Sequence, residues 1–452
     1  MQLQSVQQLL FENLADRPVV VKRADVQMTS DAGLLPLREF DRRWRLTERM
    51  VECLSDRRTR CDHSIAEMLR QRLFGILADY EDCNDHDDLR TDPAFKVIAG
   101  RTPDDDPLAS QPTLSRFENQ ITPVMLNALR QLLVTTGIER LQQKNAGHLP
   151  ESVTLDIDPT DVATHGQQQL TLFHGYYDQH QYFPQLVTEP TTQHVFFAQL
   201  RHGAMHPACG ADECLLTVTD SLRQRRADIA IHVRADSGHA SPALYELCEK
   251  EGFSYVIGLQ GNPVLYREAD ALMQQAMEQF EATGEKQRLF CAFNYQAKTW
   301  TRCRTVIAKI EVTRKGTNRR FVVTNQWVAS DRHAEQRYDD YVQRGTSEQR
   351  NDELKNGLAM DRLSCHRFMA NFWRLLLHVH AYNLLNALRD SDGIPSDLQD
   401  AQPARWRTRL IKVAARITQS TRRIVVELSS SWPHWSLFAA VSRQTLVASH
   451  FR

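Results

Sequence analysis

The chain has 452 residues, enough for about two or three domains, and its 42% hydrophobic content can fill real cores. A formal net charge of −1 leaves bulk charge silent on nucleic acid, and no apolar run approaches the ~20 residues of a membrane helix. Nine scattered cysteines without a C-x-x-C pair argue against a disulfide scaffold. With no secretory signal, they predict a reduced, cytoplasmic chain.

The first 30 residues are polar and predict an edge strand or a loose arm. From 36 to 150 the pattern is helical, with Ile65, Met68, Leu69, Leu73, Phe74, Ile76 and Leu77 at helical spacing. The acidic run 81–88 resembles a calcium loop but fails as one. Counted from Asp82, the sixth position is Asp87 instead of glycine and the twelfth is Pro93 instead of glutamate. It reads as a polar helix start. Three prolines and three consecutive aspartates mark 102–112 as a loop. A short helix then opens at 110–119. Its small hydroxyls and single Arg116 suit a recognition helix, although a capped core helix is the simpler reading of that segment.

At about residue 152 the period changes. Residues 153–158 alternate as a strand does, and further strands are predicted at 169–173, 194–200, 229–234 and 254–259, with helices at 211–225 and 242–251. This is an α/β layout. Strands return at 289–294, 305–312 and 320–324. A helix is predicted from about 338 to 360, then an amphipathic helix at 365–388, a loop at 390–403, a basic helix and a last strand at 423–428. Two stretches, 302–320 and 405–423, each carry seven basic residues, against one acid (Glu311) and none. Such runs can bind phosphate, though most are solvated faces.

Tyr341, Arg344, Glu348 and Lys355 share one face of the helix predicted at 338–360. A lone carboxylate among phosphate-binding groups suits a metal-dependent DNA-processing helix. Two further acids are placed to join it. Asp158 ends the strand at 153–158, and Asp236 follows the apolar strand at 229–233. Acids from distant segments can hold the metal pair that phosphoryl transfer requires. Asp156 and Asp161 compete with Asp158 for the first place, and Asp156 shares its strand face.

These residues carry a family resemblance. Asp158-Pro159-Thr160 matches a D-x-T box, Arg234 to Gly238 an R-x-D-S-G box, and Tyr341, Arg344, Glu348 and Lys355 a Y-x2-R-x3-E-x6-K box. Through most of its length the chain resembles the bacterial insertion-sequence DDE transposases. Segments at 30–33, 80–82, 86–93, 110–119 and 361–368 also resemble one subfamily. The D-x-T match favours Asp158 over its neighbours.

The resemblance implies a ribonuclease-H-like catalytic core at 151–362, with a β-insertion at about 262–335. A mainly helical DNA-binding region at 1–150 would precede it, and a helical C-terminal region with a basic stretch, 363–452, would follow. Asp158, Asp236 and Glu348 would hold two magnesium (or manganese) ions. Tyr341, Arg344 and Lys355 would grip phosphates, and Arg116 would read the end sequence. It also implies cut-and-paste movement through hairpin-ended DNA with no covalent protein intermediate, so Tyr341 would be a phosphate contact and not a nucleophile. The partners would be double-stranded DNA, as terminal repeats and target, and a second copy in a synaptic homodimer. No membrane is implied, and the DNA-bound protein would sit on the nucleoid. An aromatic of the insertion would stack on a flipped base; Phe321, Trp327 and Trp300 are the candidates.

Two other classes compete. A catalytically silent DNA-binding protein derived from a transposase would keep most of these features. A zinc-containing regulator would use His202, His206, Cys209 and Cys214, but these are compressed into one glycine-containing stretch instead of two tight pairs. That stretch reads better as a loop between strand and helix.

Overall fold

The computed structural model describes residues 8–14, 17–56, 58–391 and 393–446. Within the polar N-terminal segment, Gln8–Leu14 and Arg17–Lys22 form an antiparallel hairpin; residues 1–7 lie outside the described residues.

Eight strands make the central sheet: β1 (Ser152–Pro159), β2 (Gln185–Glu189), β3 (His194–Gln199), β4 (Ala230–Ala235), β5 (Ser254–Leu259), β6 (Gln287–Tyr295), β7 (Arg304–Thr313) and β8 (Gly316–Thr324). Their order is β6-β7-β8-β5-β4-β1-β2-β3. β4 runs parallel to β1 and β5, and every other pair is antiparallel. The order β3-β2-β1-β4-β5, with a leading antiparallel meander and parallel β1, β4 and β5, is the ribonuclease-H-like arrangement. The β-insertion takes the form of β6, β7 and β8, which extend this sheet edge-on through β8 against β5.

Helices cover the sheet. α1 (Pro123–Lys144) starts where Thr122 accepts from the Met125 N–H and Pro123 presets the first turn. α2 (Ala211–Arg225) follows. α3 (Pro242–Glu251) starts on the Ser241 cap and stops at Gly252, whose φ of 71° a side chain would resist. α1, α2 and α3 bury one face of the sheet around Leu155, Ile157, Val233 and Ile257. On the other face α4 (Asp331–Val342) packs Ala334 and Tyr338 on Val256, Ile307 and Val322. α5 (Gly345–Asp352) continues into a wider turn, Glu353–Gly357, and α6 (Phe368–Arg389) crosses the N-terminal helices.

Several sequence expectations need correcting. The helix predicted as continuous over 338–360 is three pieces. Between Tyr341 and Ser347 the bonds tighten to i→i+3, with Arg344 N–H to Tyr341 O and Ser347 N–H to Arg344 O. Gly345 is a poor helix former there, and the Thr346 hydroxyl bonds the Gln343 carbonyl. α6 is buried on every side from Ala370 to Arg389, so it is a core helix and not an amphipathic one. The predicted basic helix ends at Ile411, and Ala415–Ser420 pairs as a strand with Arg423–Leu428. β2 is a strand beyond those expected, and the strand expected at 169–173 is shortened and shifted to Leu172–His174.

One buried ion pair sets the sheet register beneath the site. Arg234 on β4 lies opposite Asp156 on β1 and donates to both its carboxylate oxygens at 2.7 and 2.9 Å, with both side chains at most 2% exposed. Removing one partner of such a pair strands the other charge, at a cost of about 3–5 kcal/mol. Asp156→Asn should therefore lower the unfolding free energy by that amount, read as a fall in the urea midpoint at unchanged slope. The apolar double replacement Asp156→Leu with Arg234→Met should recover most of it.

Candidate active site

β1 and β4 are parallel neighbours with Ile157 opposite Ala235, so Asp158 and Asp236, the next residue on each, emerge together at one end of the sheet. α5 passes over Asp158. Asn351 donates to Asp158 Oδ2 at 3.0 Å and Ser347 at 3.4 Å, while Arg344 donates to Oδ1 at 3.4 Å and to Glu348 Oε1 at 2.6 Å. Arg344 thus bridges the first acid to the third. Its guanidinium also lies 5.7 Å from the Tyr341 ring.

The electrostatics follow from this crowding. Burial, reinforced by the charges of Asp236, Glu348 and Asp156, pushes the Asp158 carboxyl up to about 7 against the pull of Arg344. Burial also acts to raise Asp236, but hydrogen bonds from His239 and the Gly238 N–H, with Arg344 nearby, hold it below the usual carboxylate value. Tyr177 beside the acids is pushed up to about 12, chiefly by burial. Asp156 belongs to the Arg234 pair.

The other sequence-predicted residues are more dispersed. Lys355 donates to Asp161 at 2.7 Å, so Asp161 holds a motif lysine. Arg116 is exposed on the helix Gln111–Asn119 and bonds Thr113; no contact among the described residues joins it to the acids. Phe321 and Trp300 are core residues, whereas Trp327 is 72% exposed beside His333. A cleft of about 720 Å3 opens next to Asp236 between Tyr176, Tyr177, Tyr266, Arg319 and Arg320.

Neither basic stretch stands unpaired as expected. Arg302 and Arg304 meet Glu249, Lys309 meets Glu311, and Arg319 meets Asp270. Arg405 and Arg409 share Asp397, Arg407 meets Asp79, and Lys412 meets Asp31. The zinc reading fails for a similar local reason. Arg201 donates to the Pro207 and Cys209 carbonyls and organises the loop itself, and among the described residues no three of the His and Cys side chains gather as a metal site would need.

Four residues of the site escaped the sequence. Ser347 and Asn351 lie one turn apart beside Glu348, a spacing that could have marked them. His239 directly follows the R-x-D-S-G box. Gly258 on β5 sits so close that a Cβ would come within 2.7 Å of the Tyr341 hydroxyl and 2.8 Å of the Ser237 nitrogen. No local pattern announces that contact.

The carboxylates are hard oxygen donors, and the negative surroundings of Asp158 favour a cation, so the residues suit a divalent metal. As placed, no three His, Cys, Asp or Glu side chains among the described residues are close enough to hold one. Glu348 is turned to Arg344 and its side chain is 64% exposed.

Two strand-end aspartates on a ribonuclease-H-like sheet, linked by an arginine to a helical glutamate, are the arrangement of the DDE phosphoryl-transfer class. The chain belongs to the transposase DDE domain group 1 family, whose model matches residues 11–447. It is a DNA transposase, an enzyme that cuts DNA, of a family that generally uses divalent metal ions. No curated protein matches it. Among solved structures it is similar to the piggyBac transposase in a synaptic complex with hairpin DNA, determined by cryo-electron microscopy. The identity is 12% and the TM-score 0.40, over 80% of this chain and 77% of that one.

The two competing aspartates should behave oppositely. With its pKa raised, Asp158 binds a proton more tightly in the folded state. Its contribution to stability is therefore lost as pH rises from its ordinary 3.8 to about 7. In EDTA, Asp158→Asn should raise Tm above pH 7, and the gain should shrink to nothing near pH 4. Asp156→Asn should lower Tm at neutral pH. An Asp158→Asn effect independent of pH would count against this electrostatic account.

Proposed function

We propose that this transposase cuts and joins the ends of a mobile element by in-line phosphoryl transfer, with Asp158, Asp236 and Glu348 as its catalytic acids. The observation that carries the reading is the placement of the acids: adjacent strand ends present Asp158 and Asp236 side by side, and Arg344 bonds both Asp158 and Glu348. Two magnesium (or manganese) ions held by these acids would activate the attacking oxygen and stabilise the leaving one. Arg344 offers a two-pronged donor that suits a phosphate, and Tyr341 shields it on one side. Lys355, aligned by Asp161, provides a third phosphate contact. The tyrosine-lined cleft beside Asp236, with Arg319 and Arg320, suits the path of a DNA strand.

The N-terminal region, with Arg116 exposed on its helix, would recognise the terminal repeats. Movement would proceed through hairpin ends in the bacterial cytoplasm. Of the three aromatics considered for base stacking, Trp327 alone has the exposure to offer it, a contact worth ~1–3 kcal/mol. A homodimer on paired ends follows from the substrate, since two ends must be cut in step and two-fold assemblies are the commonest.

Purified protein should nick a duplex bearing the element's own end when magnesium is added. Glu348→Gln, which keeps size but removes charge, should lose cleavage and retain end binding. Cleavage by that variant at the wild-type rate would remove Glu348 from the catalytic set.

Assembly can be tested by mixing two defective proteins. An Asp236→Asn subunit combined with one unable to bind ends should restore cleavage if each subunit binds one end and cuts the other. A mixture that pairs on DNA yet stays inactive would exclude cutting in trans.

A further inference from the structure

His239 is fully buried, and both its ring nitrogens are engaged. Its Nδ1 lies 2.7 Å from Asp236 Oδ1, and its Nε2 lies 3.0 Å from the amide nitrogen of Gln185, itself fully buried on β2. The short turn Ser237–His239 folds the ring back onto the aspartate, and the Gly238 N–H donates to the same oxygen at 3.1 Å. Asp236 Oδ1 therefore accepts twice from within the protein. Oδ2 accepts no hydrogen bond among the described residues, and the side chain is 34% exposed.

The tautomer is fixed by these partners. A carboxylate can only accept, so Nδ1 carries the proton; Nε2 then accepts from the Gln185 amide N–H. Gln185 Oε1 is buried without a partner, an uncommon cost that this amide orientation entails.

We propose that His239, oriented by Gln185, is a positioning residue for Asp236: it anchors Oδ1 inward and leaves Oδ2 to face the ion. This rests on the reading of Asp236 as a metal ligand. Outer partners that orient a ligating group typically contribute 10–100-fold in metal affinity. An alanine at 239 would free the Asp236 carboxylate to rotate. An asparagine there can place its amide nitrogen near the position of Nδ1 and restore the donor. Gln185→Leu would leave the ring without its second partner and loosen it less.

The test is Mn2+ binding to the full-length protein without DNA, read from the free-ion electron paramagnetic resonance signal, so that it does not depend on turnover. Expected are a ~10–100-fold weaker Mn2+ dissociation constant for His239→Ala, substantial recovery in His239→Asn, and an intermediate loss in Gln185→Leu. The manganese midpoint for cleavage should shift in the same order, with the rate at saturating metal changed far less. Wild-type Mn2+ affinity in His239→Ala, alongside weak binding in Asp236→Asn, would overturn the positioning role alone. Wild-type affinity in Asp236→Asn would overturn the metal-ligand reading and this inference with it. If His239→Ala does not fold, Gln185→Leu decides: unchanged Mn2+ affinity in that variant overturns the proposal.

Discussion

The site depends on where Arg234 reaches. Besides gripping Asp156 across the β1–β4 boundary, its Nη1 contacts the backbone and side chain of Asp340, at 3.1 and 3.3 Å, near the end of α4. His232, two residues earlier on β4, holds the other Asp340 oxygen at 2.7 Å and rests on Ser254 of β5. Three strands and one helix end are thereby fixed in a single polar cluster. A slip of one residue between β1 and β4 would turn one of the two aspartates, Asp158 or Asp236, to the opposite face from the other. A helix end free to drift would carry Tyr341 and Arg344 away from them. The arginine of the R-x-D-S-G box thus belongs to the scaffold, and its aspartate, two residues on, is set beside Asp158 by it.

This explains what was legible in the sequence and what was not. Strand ends and short boxes are local, so the positions of Asp158 and Asp236 on the sheet follow from alternation and apolar runs. Alternation could not choose between Asp156 and Asp158, because both lie on one face; the D-x-T match favours Asp158, and the fold gives Asp156 a different partner, Arg234. β2 was missed because all five of its residues, Gln185 to Glu189, are buried, polar and apolar alike. A strand buried on both faces shows no alternation to read. Charge counted along the chain overstates the two basic stretches, because it omits the acids that fold beside them, such as Asp397 and Glu249.

The subfamily segments outside the site also have a physical role. Arg72, Glu118 and Arg374 form a buried triad, with Glu118 accepting from both arginines at 2.8 Å. Cys83 and Cys365 approach it from the segments around 80–86 and 361–368. Asp31 binds Tyr80 and Lys412 in the same way near the N-terminus. Residues far apart in sequence therefore close one core, in which Leu69, Leu114, Trp373 and Trp406 pack together. Motifs of this kind join the N-terminal helices to α6, and through Asn383 on Val195 to β3.

The geometry of α5 accounts for the unequal burial of the signature residues. Each helical residue advances ~100° about the axis, so Ser347, Asn351, Arg344 and Glu348 succeed one another around the surface in that order. The contacts to Asp158 come from the first three, which places the inward direction between Asn351 and Arg344. Glu348 lies at the margin of that stripe, which explains its exposure and its turn toward Arg344. A motif read as one polar face is thus two neighbouring strips. The strip of Ser347 and Asn351 steadies the first acid from inside. The strip of Arg344 and Glu348 borders the open side, with the Glu348 side chain 64% exposed. The tightened turn between Tyr341 and Ser347 lets Arg344 serve both, because it brings the guanidinium within reach of Asp158 while Glu348 stays at the rim.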